Sequence, residues 1–546
     1  MTDTRQYLQW TIEDAFSGSN ADAHARIKQE QETYRTAPRA GIEWVGKIAS
    51  PAGESLDPQT TKLVQKMMPR LEESAPPIQI LPDRSSAIGE EAELAQELGK
   101  WFKMYEEVDN EPDRMRTTIL HNCVGGMAIR KTYWDDRFHT LTSPAINPIN
   151  FAPQQGAIDI SLRDADYVVH KTNRTAREIR HQFPKFRFRS AKGYRKPDPR
   201  GEEHIVHEIW MHRDYAADCG IKVPKVGRQI VVAWMIEDRI ASVRPSPFVY
   251  PHFPFACWRY LEIFDNNGRP NEWWGYGLPS LLKPQQKLLD CLLANLVLLL
   301  RKQTTGRMLA PKGMFDNQVT WDRDSALIRY DKEAGFNPGD ILDLPIDQIP
   351  PTLPDLIGYI TATMEQLSGI TGVTTGQEPS GANISGRAIV ALQSAAATQM
   401  VSNVSAMNEF RGRLARQKAV LIQQAASKPI DLNLWRGGVD IVSDFPSAAR
   451  HIGFAIHVPD AASLPQTPAG KAQIVQLLNE MFMSSGYAMK PEKVLELLNI
   501  DQSYGISVDD FIQPAAPQPG APAPAMGNMP INESAIQDLP IDTNTV

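Results

Sequence analysis

Cysteine is scarce: Cys123, Cys219, Cys257 and Cys291 stand far apart and no two form a CxxC pair. That spacing excludes a disulfide-stapled scaffold and fits free, mostly buried thiols in a reducing compartment. The opening "MTDTRQYLQW" is polar, so no signal peptide is expected. Nucleotide and nucleophile signatures are missing too. Gly46-Lys47, Gly99-Lys100 and Gly470-Lys471 lack the glycine spacing and the hydroxyl residue of GxxxxGK[ST], and GxSxG does not occur, so neither a P-loop motor nor a serine elbow is indicated.

An apolar run long enough for a membrane is also lacking. The stretch "LLDCLLANLVLLL", residues 288–300, is 13 residues long and interrupted by Asp290 and Asn295, whereas a bilayer core requires about 20 apolar residues. It reads instead as a core helix, or as a helix that finds its cover on another copy of the chain. An excess of positive charge is absent: the net charge is -7 and the pI about 5.9. A protein that coats nucleic acid with its whole surface is thereby excluded, and any DNA contact should be local or weak. Between Gln366 and Asn408 charge almost vanishes, leaving Glu378 and Arg387 in a Gly/Ser/Thr/Ala/Asn/Gln background. Two readings fit: a flexible loop leading to an Ala-rich packed helix, or a surface that faces a polyanion without gripping it.

What is there is an α+β chain large enough for several domains. The first 70 residues carry helical patterns, "DAHARIKQEQETYR" and "PQTTKLVQKMMPRLEE". A short strand at Ile78-Gln79-Ile80-Leu81 and a helix, "IGEEAELAQELGKWFKMYEEV", follow. "GGMAIRKTYWD" and "YVVHKTNRT" read as strands, and Thr175-Ala-Arg-Glu178 as a capping box opening a helix that stops at Pro184. Residues 202–260 are β-rich; helical period returns near Gly275 and lasts to Arg301. A strand-and-turn insert, including "ALIRYD" and "GDILDLP", separates it from the next helix. A long helix begins at "RAIVALQ", and a small β section follows between Ile430 and His457. Two helices, "TPAGKAQIVQLLNEMFMSSG" and "KPEKVLELLNI", precede "QPAAPQPGAPAPAMGNMP", whose composition predicts a disordered tail.

Candidate chemistry is thin. "HIVHEIWMH" imitates HExxH, but His207-Glu208 and His212 are one residue too far apart for helical zinc pairing, and the string reads as a half-buried strand. Asp135-Asp136, Asp164 with Asp166, and Asp322 with Asp324 read as solvated turns rather than a two-metal site. No catalytic residue, metal or cofactor is expected. The basic run "KFRFRSAKGYRKPDPR" fits a solvated loop or a contact with an acidic partner or nucleic acid. Arg301, Lys302, Arg307 and Lys312 form a second basic cluster, whose simplest role is to complement a helix dipole.

The order of the parts resembles bacteriophage portal proteins, the head-to-tail connectors of tailed phages. The resemblance is carried by "WWGYGLPSLLKPQQKLLDCLLANLVLLL", the insert, "LIGYITATMEQLSGITGV" and "SGANISGRAIVALQSAAAT". Upstream, "PPIQILPDRSSAIGEEAELAQELGKWF", "INPINFAPQQGAIDISLRDADYVVHKTNRTAREIRHQFP" and "HEIWMHRDY" lie in matching order. The resemblance implies a portal fold: an N-terminal helical region (1–75), a mixed α/β wing (76–278), a first stem helix (279–303), a small α/β clip (304–354) and a second stem helix (355–370). A tunnel loop and long wing helix (371–428), wing strands (429–462), short crown helices (463–512) and a disordered tail (513–546) complete it. It further implies a ring, usually of twelve subunits, at one capsid vertex of the virion, assembled in the host cytoplasm. By the same resemblance, double-stranded DNA would be packaged through it by a separate terminase and later ejected.

Its implied partners are the terminase large subunit, neck or adaptor and tail proteins, and major capsid and scaffolding proteins, with no membrane. Thr375, Gln377, Ser380, Asn383, Ser385 and Arg387 would face the DNA tunnel. Arg301, Lys302, Arg307 and Lys312 would face terminase on the clip, and Leu289, Leu292, Leu296 and Leu300 would pack subunits in the stem. The alternatives are a membrane-associated pore or scaffold, motivated by the Leu-rich stretch, and a metal-dependent DNA-processing enzyme, motivated by the aspartate pairs.

Overall fold

The computed structural model describes residues 2–35, 57–73, 75–82, 90–135, 140–188, 203–222, 229–248, 252–262, 272–304, 307–311, 326–331, 342–343, 350–370, 401–426, 445–450 and 453–458. The chain divides into two units, 1–466 and 467–546, and the described residues all belong to the first. The expected tunnel loop, the start of the long helix, the strand near residue 430, the crown helices and the tail lie outside the described residues.

The N-terminal helices are seated on the sheet and on later helices rather than standing apart. In α1 (Thr2–Ala15) Leu8 and Ala15 recur at helical spacing and are fully buried. They meet Tyr167, Val169, Ile209 and Met211 of the central sheet. The next helix, α2 (Gly18–Arg35), is tied down by Asn20, whose amide donates to the Ala15 carbonyl at 2.8 Å and the Pro153 carbonyl at 2.9 Å. The same side chain accepts from Trp274 Nε1 at 2.7 Å. A buried amide with each of these bonds made contributes specificity without an orphan polar group. α3 (Gln59–Glu73) lines up Leu63, Val64, Met67 and Leu71 toward a second apolar cluster.

After β1 (Gln79–Pro82) come α4 (Glu90–Val108) and α5 (Glu111–Gly125). α5 starts after Asn110 in the left-handed conformation, carries Pro112 in its first turn, and stops at Gly126 with φ 73°. Strands β2 (Met127–Lys131), β3 (Tyr133–Asp135), β4 (Thr140–Thr142) and β5 (Ala145–Ile146) follow. Then comes an antiparallel five-stranded sheet of β6 (Phe151–Pro153), β7 (Tyr167–Thr175), β8 (Glu203–His212), β9 (Ile230–Ile236) and β10 (Arg239–Pro245), in the order β10-β9-β8-β7-β6. Between β7 and β8, α6 (Ala176–Gln182) opens with the full capping box of Thr175 and Glu178 and ends before Pro184. After β8 comes the short α7 (Arg213–Asp218).

"HIVHEIWMH" lies in β8. The strand is not half-buried, as its alternation predicts, but covered on both faces over most of its C-terminal half. α1 covers one face, while on the other Trp210 stacks on Phe248 with centroids 5.9 Å apart and meets Phe255 edge-on. Each such aromatic contributes about 1.5–3 kcal/mol by burial.

β11 (Phe255–Arg259) joins β2 and β5 in a separate three-stranded sheet. The long helix α8 (Leu278–Thr304) leads to β12 (Arg307–Pro311), β13 (Ala326–Tyr330) and β14 (Leu342–Asp343), where β12 pairs parallel to β13 and antiparallel to β14. α9 (Thr352–Ser368) returns to the body. α10 (Val401–Ala425) crosses behind β11, and β15 (Phe454–His457) closes on β1.

Candidate functional site: two apolar helices and the polar seat behind them

The entry to α8 is fixed by glycine. A Cβ on Gly277 would stand 2.1 Å from the Val124 carbonyl oxygen, and one on Gly275 would stand 2.2 Å from that of Gly126. The loop "WWGYG" thus lies directly on the C-terminal turn of α5, a close approach that only glycine permits. Arg26 secures it from outside, donating to the Gly275 carbonyl at 2.8 Å with its guanidinium 3.6 Å from the Tyr276 ring centroid.

Beyond this anchor α8 has two different faces. Leu278, Leu282 and Leu289 are fully buried against α3, α5 and α9. Two polar groups of the inner face are matched: Gln286 Oε1 accepts from the Thr60 amide and hydroxyl, both at 3.1 Å, and its Nε2 donates to the Asp57 carbonyl at 2.9 Å and Asp290 at 3.2 Å. Along the other face, Leu281, Leu288, Cys291 and Asn295 are exposed. α9 repeats the pattern, with Ile360 and Met364 buried and Leu356, Tyr359 and Leu367 exposed, Tyr359 to 71%. Lys66 of α3 meets Glu365 of α9 at 3.6 Å. At the start of α9 an open, largely apolar recess of about 530 Å³ is lined by Pro350, Leu353, Leu356 and Tyr359 together with Thr352 and Asp355.

Six of the eleven strongly exposed large apolar side chains among the described residues lie on these two helices. Such a concentration marks an interaction surface, whereas single exposed leucines need no explanation. Of the four leucines assigned to subunit packing, Leu289 spends its surface inside the chain's own core. Leu292 and Leu296 are half-buried, and Leu300 is exposed. Leu281, Leu288, Leu356, Tyr359 and Leu367 are the outward-facing residues that the sequence reading missed. Their helical spacing was visible, but which side of each helix the body would cover was not.

α10, which follows the charge-poor segment, rests on a polar seat. Arg411 donates to the Pro76 carbonyl at 2.6 Å, Arg413 to the Cys257 carbonyl at 2.8 Å, and Gln417 to the carbonyls of Phe253 and Phe255 at 3.4 and 3.3 Å. Lys418, fully buried, donates to Glu106 at 3.1 Å and Glu111 at 2.5 Å; Arg130 forks onto the same Glu111 and onto the Ser143 carbonyl. Burial alone would push the Glu111 carboxyl up, but the Lys418 ammonium and the Arg130 guanidinium outweigh it and hold it at about 2. Burial wins at Glu106 and Asp109, whose carboxyls are pushed up, and it lowers Arg411. A second buried cluster gathers Lys131, His170 and Arg174 around Glu208 of β8, where the Lys131 ammonium, a hydrogen bond with His170 and the Arg174 guanidinium overcome burial and hold the carboxyl well below its usual range.

Arg301 and Lys302 fall in the last turn of α8 and Arg307 opens β12. Lys312 and all six tunnel candidates, Thr375, Gln377, Ser380, Asn383, Ser385 and Arg387, lie outside the described residues. Among the described residues no group of three or more histidine, cysteine and carboxylate side chains could hold a metal ion. Asp164 instead accepts from the amides of Ile158 and Asp159 at 2.6 and 3.0 Å, and Asp166 from Gln154 at 3.3 Å. Among the described residues no helix is long and apolar enough to cross a membrane, and α8 carries Asp290 buried in its middle. Cys123, Cys219 and Cys257 are buried free thiols, while Cys291 is exposed on the outer face of α8.

No curated protein matches the chain. The family model for Phage P22-like portal protein matches residues 58–430, more than half the chain and the span that holds α3, both apolar helices, the insert between them and α10. Two helices with outward apolar faces, a small sheet between them and a long helix locked behind them therefore have a common explanation: this chain belongs to the P22-like family of phage portal proteins.

Proposed function

We propose that the chain is the subunit of a ring-shaped channel at one capsid vertex, through which a separate terminase drives double-stranded DNA into the head and through which the DNA later leaves. The observation that carries the proposal, together with the family, is the pair of apolar stripes on α8 and α9. In an isolated chain they would stay in water; in a closed ring each copy covers the next, and the leucines of "LLDCLLANLVLLL" gain a second partner. Membrane insertion offers no comparable account, because 13 residues interrupted by Asp290 fall short of about 20.

In this reading α8 and α9 are the stem, and β12 to β14 form the clip. Arg301, Lys302, Arg307 and Lys312 lie where terminase and afterwards neck proteins dock. The segment containing Thr375, Gln377, Ser380, Asn383, Ser385 and Arg387 approaches the DNA. The major capsid and scaffolding proteins surround the wing. The absence of a P-loop accords with a motor supplied by another protein.

Negative-stain electron microscopy of the purified chain tests the proposal. Rings with a central hole wide enough for a duplex, roughly 20 Å, are expected. The Leu288→Asp/Tyr359→Asp variant should keep its circular-dichroism spectrum yet yield only monomers, since both side chains already face solvent. Compact monomers of the unaltered chain at every salt concentration would sink the proposal, and rings of the double variant would remove the stripes from the interface.

A further inference from the structure

The chain is acidic overall, yet one short stretch of its surface is not. Arg177, Arg180, Lys185 and Arg187 are all exposed, and among the described residues no carboxylate pairs with any of them. Two acids of the surrounding elements are already engaged. Glu178 folds back to accept from the Thr175 amide at 2.9 Å, and Glu237 holds Arg239 at 3.2 Å and His204 at 3.3 Å.

The aromatic residues between these cations lie beneath them, with Arg180 over the Phe188 ring at 5.7 Å. Phe186 and Phe188 are half-buried and meet edge-on at 5.4 Å, and Phe188 lies 4.6 Å from the His204 ring. Arg239 covers Phe186 at 5.0 Å and donates to the Arg187 carbonyl at 2.9 Å, so the backbone here is fastened to the sheet. The result is a supported row of cations with its rings tucked behind it. Two of these cations, Lys185 and Arg187, open "KFRFRSAKGYRKPDPR", the motif that the channel reading leaves without a role.

We infer that this face contacts the sugar-phosphate backbone of duplex DNA by charge alone, reading no sequence. A protein partner would call for a buried apolar anchor at the centre of the patch, and no large apolar side chain between residues 176 and 188 is strongly exposed. Single-stranded nucleic acid would call for outward rings on which bases stack, and both phenylalanine rings are already covered, Phe186 by Arg239 and Phe188 by Arg180. Interfaces with duplex DNA are polar and positive, and three of the four cations are arginines, whose planar forks match phosphate. The choice of duplex as the polyanion rests on the DNA-conducting role proposed above.

The test is the salt dependence of binding of the full chain to a labelled duplex of about 30 base pairs, followed by fluorescence anisotropy between about 50 and 200 mM salt. Each phosphate contact contributes roughly 0.9 to the slope of log K against log salt. The Arg177→Gln/Arg180→Gln/Lys185→Gln/Arg187→Gln variant should therefore show a slope shallower by roughly 3.6, equivalent to about 150-fold less loss of affinity across that range. The charge-retaining Arg177→Lys/Arg180→Lys/Arg187→Lys variant should keep the unaltered slope. Should the fourfold variant fail to fold, Lys185→Gln alone should still lower the slope by roughly 0.9.

An unchanged slope in both neutralised variants would overturn the inference. So would patch-dependent binding of polyglutamate without patch-dependent binding of duplex, which would indicate an acidic protein partner. Rings seen with an unchanged slope would defeat this inference and leave the channel standing; the expected slope without rings would defeat the channel alone.

Discussion

At the scale of single residues, the tightest constraint is Gly277. Its missing side chain allows the α8 entry to lie on the Val124 carbonyl, which a Cβ would approach to 2.1 Å. Gly277→Ala should therefore lower the unfolding midpoint, with a cost of about 1–3 kcal/mol typical of overpacking. Gly99→Ala in α4, where a Cβ meets nothing within 4 Å, should instead add roughly 0.5–1 kcal/mol through helix propensity. Urea unfolding of both variants checks the contrast.

Histidine sets the acid response at the same scale. Burial lowers His24, His121, His170, His212 and His252, and, with Lys171 nearby, takes His207 to about 4. Once unfolded, these imidazoles bind protons near 6.5 while the folded ones stay neutral, so the unfolded state gains protons first as pH falls. Stability should rise with pH from about 4 to about 6.5, and His207 alone should account for roughly 2 kcal/mol between pH 5 and neutrality. Glu106 and Asp109, with raised carboxyls, act in the opposite sense and offset part of the loss. A lower urea midpoint at pH 5 than at pH 7, with a smaller difference in His207→Asn, is the expected result.

At the scale of elements, what the sequence disclosed depended on whether the signal was local. The Thr175-to-Glu178 capping box is legible because both partners of both bonds sit within four residues, and α6 forms as expected. The helical period after Gly275 is legible because leucine repeats along α8. α5 escaped notice: its C-terminal half is buried nearly all round, so it shows no apolar stripe against a polar one, and Asn110 and Pro112 resemble a loop. The Glu208 and Glu111 clusters were out of reach as well. Glu208 meets Lys131 across 77 positions and Glu111 meets Lys418 across 307, a juxtaposition that only the assembled sheet and helices create.

That second cluster makes α10 an element held by charge. Lys418→Met would strand Glu111 in the interior with Arg130 as its remaining close cation, and breaking a buried pair costs about 3–5 kcal/mol. Glu106 is the weaker partner, because burial has already pushed its carboxyl toward the neutral form. Glu106→Gln should thus cost less than about 1 kcal/mol, a difference that urea titration of the two variants resolves. Equal losses would mean that Lys418 relies on Glu106 as much as on Glu111.

At the scale of the whole molecule, the distribution of charge fits the DNA-conducting role proposed above. The overall balance is negative, the exposed cations at 177–187, which pair with no carboxylate among the described residues, lie between β7 and β8, and residues 366–408 carry only Glu378 and Arg387. A lining that meets phosphate at every step must not hold it, since each added cation contributes a salt-dependent attraction that has to be broken for the duplex to advance. Asn383→Lys/Ser385→Lys would add two such attractions per subunit and repeat them around the ring. Packaging in a reconstituted system with terminase should slow or stall, more severely at low salt, while electron microscopy shows rings in normal yield. Packaging at the unaltered rate at every salt concentration would remove Asn383 and Ser385 from the DNA path. Recovery of the rate as salt is raised would identify electrostatic drag, rather than damage to the ring, as the cause.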